Sequence, residues 1–133
     1  MHRETLILSS SEREELIDVT GRLRAIAGAH PEAALMALFA RGATSAIMIQ
    51  ENWDASVRTD ILECLRQIAP RGRWLHDAED GNADAHLKSG IVGPSASIPL
   101  DSGRMLLGRW QNVFFCDFDG PRESRELIVT LLP

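Results

Sequence analysis

The sequence predicts an α+β domain in which antiparallel strands outnumber helices. Two segments carry apolar side chains at the three- and four-residue spacing that is typical of helices. About six or seven other segments are short, apolar and rich in β-forming residues, and the last three of them follow one another. Because consecutive strands usually pair with their neighbours, we expect antiparallel sheets with helices packed against them.

Size, charge and hydropathy exclude several classes of protein. The 133 residues, 44% hydrophobic and 25% charged, suit a single domain spanning residues 1–133. A net charge of −5 without any basic run argues against nucleic-acid binding. No apolar segment approaches the roughly 20 residues of a membrane span, and the first residues lack a signal peptide's pattern. We therefore expect a cytoplasmic protein with reduced cysteines, Cys64 as a buried inert thiol in a helix and Cys116 unpaired.

The N-terminal segment is predicted to form a strand and then a helix. Residues 3–9 alternate as a short strand does. Ser11 and Glu14 have the spacing of a capping box, in which both side chains bond to free amides of a helix's first turn. Apolar side chains then keep helical spacing up to Gly28, so the helix is predicted to follow Ser11 directly. These side chains are Leu16, Val19, Leu23 and Ile26.

The middle of the chain is predicted to contain two strands and two helices. Residues 32–40 are nearly all apolar, so their pattern fits a buried strand or a buried helix. Residues 44–50 favour a strand. Asp54 has the position of an N-cap for a helix that Pro70 ends, and residues 82–90 are expected to form a short helix.

Three strand-like segments complete the chain. They cover residues 96–100, 105–117 and 127–132. Turn-forming residues around Gly103 and Gly120 separate them. Their order without an intervening helix is the main reason to expect antiparallel pairing.

The densest polar segment extends from His76 to Ser89. His76 and His86 can converge if the intervening loop folds back, which would form a metal site or a general base. Their spacing matches no standard zinc motif, and two histidines are one fewer than the three protein ligands usual in catalytic zinc. Loop and helix-cap roles are the structural alternative.

A helix over residues 82–90 would separate a polar stripe from an apolar one. The polar stripe contains Asn82, His86 and Ser89, and the apolar stripe, which we expect to be buried, contains Ala83, Leu87 and Ile91. The free amides at its first turn suit a phosphate or carboxylate.

Lys88 is the only lysine, since 13 of the 14 basic residues are arginine. Either the composition favours arginine and Lys88 is incidental, or position 88 needs a compact amine beside an anion. The structural alternative is an ion pair with Asp84, four residues earlier in the helix.

Two further polar segments are candidates for a site. Glu51 and Asn52 stand between a strand and a helix, where catalytic side chains are often placed, although solvent-exposed roles are the commoner explanation. In the second segment, Arg109 can bind a phosphate or carboxylate and Trp110 can line a pocket. The alternative is a strand whose tryptophan packs in the core or in a subunit interface.

Together these segments resemble the YjbQ family, whose members are described as secondary thiamine-phosphate synthase enzymes. The resemblance extends over essentially the whole chain and is most specific in NADAHLKS followed by G-x-WQ. The segments that carry it are ATSAIMIQENWD (43–54), WLHDAEDGNADAHLKSGIVGPS (74–95), IPLDSG (98–103), LGRWQNVFF (107–115) and DGPRESRELIV (119–129).

The resemblance implies an antiparallel β-sandwich with two main flanking helices, a strand at residues 32–40, and a homotrimer. It also implies a polar site at the subunit boundaries that binds an anionic small molecule, with a divalent metal, Zn or Mg, associated with it. The implied catalytic residues are His86, His76, Lys88 and Glu51, with His76 and His86 also as metal ligands. The resemblance implies Asn52, Asn82 and Ser89 as ligand-binding residues, and the last polar segment adds Arg109, Trp110 and Gln111 as candidates.

This chain departs from the family pattern at two positions. Gly42 stands where family members typically have a histidine, which weakens the expected metal site. Arg109 stands where a small hydroxyl residue is usual. Two functions therefore remain open: a weak thiamine-phosphate synthase or related transferase acting on a phosphorylated small metabolite, and a non-catalytic trimeric binder of an anionic small molecule or metal.

Overall fold

The computed structural model describes all 133 residues as two antiparallel sheets that pack face to face, with three α-helices and one short 3₁₀-helix. The strands are β1 (His2–Ser10), β2 (Glu15–Asp18), β3 (Leu35–Arg41), β4 (Ser45–Gln50), β5 (Ser95–Asp101), β6 (Arg104–Met105), β7 (Asn112–Asp117) and β8 (Arg122–Leu132). The helices are α1 (Thr20–Gly28), α2 (Ala55–Ile68) and α3 (Ala83–Val92), and the 3₁₀-helix covers Leu75–Ala78. None of the helices is long and apolar enough to cross a bilayer.

The larger sheet has the strand order β1-β8-β3-β5-β6, and the smaller sheet has the order β2-β7-β4. Every pairing is antiparallel. The predicted α+β class is therefore confirmed, and the ambiguous apolar segment at residues 32–40 supplies strand β3. The second helix also begins as predicted, because the Asp54 carboxylate accepts the backbone amide of Ser56.

Strand β7 is buried on both faces, which explains its continuous apolar sequence. Val113 and Phe115 face the larger sheet in the main core. Phe114 and Cys116 face the opposite way, into a second cluster that also contains side chains of α2 and α3. These two helices therefore cover the outer face of the smaller sheet, while α1 contributes to the main core.

The prediction of a helix directly after Ser11 is wrong for the first half of that segment. Residues 15–18 form β2 instead, and α1 begins at Thr20. The Glu15 carboxylate accepts the backbone amide of Ser11, so it closes a turn rather than a capping box. Leu16 and Ile17 pack into different clusters on opposite faces of the sheet, as successive strand residues do. Pairing with β7 thus overrides the helical spacing.

Two smaller expectations are also corrected. The strand predicted over residues 105–117 is interrupted, because a turn at Gly108 separates the short β6 from β7. Cys64 is exposed rather than buried, whereas Cys116 is fully buried. Burial raises the pKa of the Cys116 thiol to about 12, and both cysteines are unpaired.

A buried ion pair joins the two sheets at one end. Arg125 in β8 donates to both carboxylate oxygens of Asp117 in β7, at 3.0 and 2.7 Å, and to the Thr44 hydroxyl at 2.8 Å. The Ser10 hydroxyl donates to the same carboxylate at 2.6 Å. Burial alone would raise the pKa of Asp117, but the bonds from Arg125 and Ser10 outweigh it and hold this pKa below its ordinary value. Helix α3 lies next to this end, since Ser89 donates to the Ser45 carbonyl at 2.6 Å.

Candidate functional site

His76 and His86 lie against each other, with ring centroids 4.9 Å apart and ring planes at 89°. His76 comes from the 3₁₀-helix and His86 from α3. The loop between them is held by Asp77, whose carboxylate accepts the backbone amides of Trp74 and Ala83. These two hydrogen bonds lower the pKa of Asp77. The free amides at the start of α3 were predicted to suit a bound anion. The Ala83 amide among them is instead bonded to the Asp77 carboxylate.

The two imidazoles line an open, mostly apolar cavity of about 240 Å³. Nε2 of His76 lies 3.4 Å from Oδ2 of the exposed Asp80. The His86 ring makes no hydrogen bond within the chain, so its nitrogens are free for a ligand. The other lining residues are Trp74, Ala83 and Leu87. The sequence analysis did not select Leu87, because it placed this residue in the buried stripe of α3, or Trp74, which lies just before the polar segment. Both lie within two residues of a histidine.

Of the apolar stripe of α3 that was expected to be buried, only Ala83 is buried. Leu87 is 39% exposed and Ile91 is 56% exposed. The helix instead buries Ala85 against the second apolar cluster and Ser89 against β4. An apolar surface therefore remains open beside the histidine pair, formed by Trp74, Leu75, Leu87 and Ile91.

Lys88 lies on the other side of the same helix. Successive α-helical residues are turned by about 100°, so Lys88 points roughly 200° away from His86. Its ammonium is 2.7 Å from the Glu14 carboxylate and 2.8 Å from that of Asp84, and its side chain is 2% exposed. The pair with Asp84 that was the structural alternative is present. Arg13 adds two bonds of 3.0 Å to the same carboxylate.

This ion network keeps its carboxylates charged. Burial alone would raise the pKa of Asp84, but the bonds from Arg13 and Lys88 outweigh it and the pKa is lowered. Burial likewise opposes the bonds of Lys88 and Arg66 to Glu14, and the pKa of Glu14 is also lowered. The contacts of Arg13 and Glu14 in this network were not predicted, because these two residues were expected within a capping box.

The remaining polar residues of α3 have partners in the protein. Asn82 donates from Nδ2 to the Asp119 carboxylate at 2.8 Å, and its Oδ1 is buried without a hydrogen-bond partner. Ser89 is fixed by its bond to Ser45. Asn82, which precedes the first residue of α3, therefore keeps an unused hydrogen-bond acceptor. The Ser89 hydroxyl has no donor left, because its one hydrogen is bonded to the Ser45 carbonyl.

The other candidate residues lie at the far end of the smaller sheet. Glu51 and Asn52 follow the end of β4, and Asn52 donates to the Asp18 carboxylate. Burial alone would raise the pKa of Asp18, but bonds from Thr20 and Asn52 outweigh it and lower this pKa. Trp53, which follows Asn52, is 81% exposed.

A tight turn holds the second group of residues at this end. The Gln111 side chain accepts the Gly108 amide at 2.7 Å, so Gln111 is occupied in shaping the turn. The Arg109 guanidinium lies 4.9 Å from the centre of the Trp110 ring, and Trp110 meets Trp53 at 6.1 Å, edge to face. An exposed aromatic and cationic surface results.

The structure thus does not bring all candidate residues together in one chain. His86 is near the Ser45 end of β4, whereas Asn52 and Trp110 are beyond its Gln50 end. Strand residues rise by about 3.3 Å each, so these five steps separate the two ends by roughly 17 Å. The candidate residues form two half-sites in one protomer: the histidine half-site (His76, His86) and the tryptophan half-site (Glu51, Asn52, Trp53, Arg109, Trp110).

The donor set of a single chain does not fit a catalytic metal. No three His, Cys, Asp or Glu side chains come together in an arrangement that could hold a metal ion. At Gly42, where members of the family that the sequence resembles typically have a histidine, a Cβ atom would lie 2.9 Å from Ser45 Oγ and 3.3 Å from Arg125 Nη1. Ser45 and Arg125 therefore crowd the position of that third histidine.

Comparison with known proteins identifies a family that shares this architecture. Residues 4–133 match the family described as YjbQ, UPF0047 protein YjbQ-like. A UPF0047 protein of Methanocaldococcus jannaschii is 38% identical, with 94% of this chain and 90% of that protein aligned. YugU of Bacillus subtilis is 37% identical, with 90% and 91% aligned. A crystal structure from Sulfolobus solfataricus, titled a YbjQ-like protein of unknown function, superposes with a TM-score of 0.93 at 28% identity, covering 98% of this chain and 95% of that one. The chain belongs to the YjbQ/UPF0047 family.

Proposed function

We propose that the protein is a weak transferase of the thiamine-phosphate synthase type, acting on a phosphorylated small metabolite. The observation that carries the proposal is the pair of imidazoles, 4.9 Å apart, in the wall of an open cavity of about 240 Å³. A cavity with apolar walls and a few titratable groups suits a heteroaromatic substrate.

The reaction joins a hydroxymethylpyrimidine diphosphate to a thiazole phosphate. The bond from the methylene carbon to the diphosphate oxygen breaks, the electron pair leaves with pyrophosphate, and the thiazole nitrogen forms the new bond to that carbon. Negative charge grows on the leaving oxygen, which His86 or His76 can protonate. Arg109 can hold the departing pyrophosphate through its planar fork of donors. No step of this proposal needs a metal ion.

The proposed active unit is a homotrimer in which the histidine half-site of one copy meets the tryptophan half-site of the next. Roughly 17 Å of strand separates the half-sites in one protomer, so a single chain cannot close a site around a small substrate. Trp53, 81% exposed, is suited to contact between copies. We expect sedimentation equilibrium at micromolar concentration to give three times the 14.7 kDa mass of one chain. A single species at 14.7 kDa would contradict this assembly.

Turnover of the two thiamine precursors with Mg²⁺ tests the activity. We expect His86→Ala to lower kcat/KM by about 10²- to 10⁴-fold, the usual contribution of a general acid. His30→Ala is the matched control, because His30 stacks on His2 and lies outside the histidine half-site. Equal turnover by wild type and His86→Ala would reject the site, and no turnover by wild type would reject the activity.

The crowding at Gly42 favours a second candidate, a trimeric binder of an anionic small molecule whose catalytic site has degenerated. A histidine at this position needs room that Ser45 now fills. Ser45 Oγ has no hydrogen-bond partner, so Ser45→Ala should open that room without breaking a bond. Regained divalent-metal binding and turnover in the Gly42→His/Ser45→Ala double variant would favour a lapsed enzyme. Ligand-dependent thermal stabilisation of wild type, without turnover by either protein, would favour the binder.

A further inference from the structure

A second cavity, of about 350 Å³, lies on the Lys88 side of α3. No hydrophobic side chain lines it apart from a proline, and none of its residues lines the cavity of the histidine pair. Its lining residues are Arg13, Glu14, Arg66, Pro70, Arg71, Asp84 and Lys88. It is thus separate from the site proposed above.

The lining of this cavity is positively charged in an acidic protein. Four cationic side chains face two carboxylates, which leaves a local excess of two positive charges where the whole chain carries −5. The carboxylates of Glu14 and Asp84 are each bonded to two cations. A ligand group with two negative charges would neutralise the excess of two positive charges.

Several donors in this cavity have no acceptor in the protein. Arg71 is exposed and takes part in no hydrogen bond or ion pair. Arg66 uses Nε for the 2.6 Å bond to Glu14, and its Nη1 is only within 3.9 Å of Glu63. The side-chain donors of two arginines are therefore available to a ligand, while the buried ion network fixes the wall behind them.

We propose that this cavity is a second ligand site, which binds a small phosphorylated metabolite through its phosphate group. Arg71 and Arg66 present the planar donor forks that match phosphate oxygens, and Lys88 and Arg13 supply fixed positive charge behind them. The carboxylates hold Arg13, Arg66 and Lys88 in place before the ligand arrives, which reduces the cost of ordering them on binding. A volume of about 350 Å³ leaves room for a small organic group beyond the phosphate. This proposal does not depend on the proposed transferase activity.

Calorimetric titration with inorganic phosphate and with pyrophosphate, at constant ionic strength, tests the site. Arg71→Ala removes free donors without touching the ion network, so the variant should fold as wild type does. We expect its Kd to rise about tenfold or more, the loss of at least one charge-assisted hydrogen bond. Arg104→Ala is the matched control, because Arg104 is 77% exposed and lies in β6, outside the cavity.

His86→Ala separates this site from the histidine half-site. If the proposal holds, this variant keeps the binding of inorganic phosphate that Arg71→Ala weakens, whether or not turnover is lost. Absence of binding to wild type at millimolar concentration would overturn the proposal. So would equal weakening by Arg71→Ala and Arg104→Ala, or weakening by His86→Ala alone.

Discussion

The two sides of α3 use polar side chains in opposite ways. On one side, Asp84 and Lys88 are buried and bonded to charged partners from the N-terminal segment. On the other side, the His86 ring has no hydrogen-bond partner in the chain and stands beside exposed apolar residues. Since the helix turns about 100° per residue, His86 and Lys88 are neighbours in sequence without sharing a site. The comparison indicates that the charged side chains of α3 itself, Asp84 and Lys88, stabilise the fold on one side, whereas the ring of His86 is left unbonded on the other.

The largest expected effect comes from breaking the buried side. Asp84→Ala leaves Arg13 and Lys88 without their shared carboxylate, and loss of one partner of a buried ion pair typically costs about 3–5 kcal/mol. Urea unfolding at pH 7 should show this decrease in the free energy of unfolding. Asp80→Ala, at a 68% exposed carboxylate beside His76, is the control and should change it by less than about 0.5 kcal/mol. Equal losses in the two variants would contradict the contrast between the two sides.

A smaller loss of stability is expected when the buried positive charge is kept but the side chain that carries it is made larger. Lys88→Arg forces a larger planar group between Glu14 and Asp84, and overpacking of this kind typically costs about 1–3 kcal/mol. Because Lys88 points away from the histidine cavity, turnover per folded molecule should remain that of wild type. Unchanged stability with lost turnover would instead assign Lys88 a catalytic amine.

Lowering the pH should gradually reduce the stability that the buried ion network of Asp84 and Glu14 provides. The pKa values of Asp84 and Glu14 are lowered in the folded protein, below their unfolded values of about 3.9 and 4.3. Their contribution to stability is therefore complete above those unfolded values and is lost as the pH falls through the lower folded-state pKa values. Unfolding free energies measured from pH 6 to pH 3 should decline below about pH 4. Asp84→Asn should decline less steeply, and an identical slope would contradict the assignment.

The difference between the two sides also explains what the sequence could predict. Local sequence signals were sufficient to predict the Asp54 N-cap, the helix that follows it, and that most of the other segments are strands. The proximity of His76 and His86 followed from one loop folding back. The pairing of β2 with β7 did not follow, because a partner about 100 residues away outweighs the helical spacing of Leu16 and Val19. Glu14, the second partner of Lys88, was missed for the same reason, since it is 74 residues distant in sequence, whereas the pair with Asp84 followed from helical spacing.

The smallest change in stability is expected on the open side. His86→Gln removes a half-buried ring that makes no hydrogen bond within the chain, so the free energy of unfolding should change by less than about 1 kcal/mol. Its effect on substrate turnover or ligand binding should be large, because the His76 ring then faces an amide that cannot take part in proton transfer at neutral pH. Urea unfolding and turnover measured on the same preparation check both parts. A loss of stability comparable to that of Asp84→Ala would mean that His86 supports the fold, and the open side of α3 would then no longer be distinguished by a binding role.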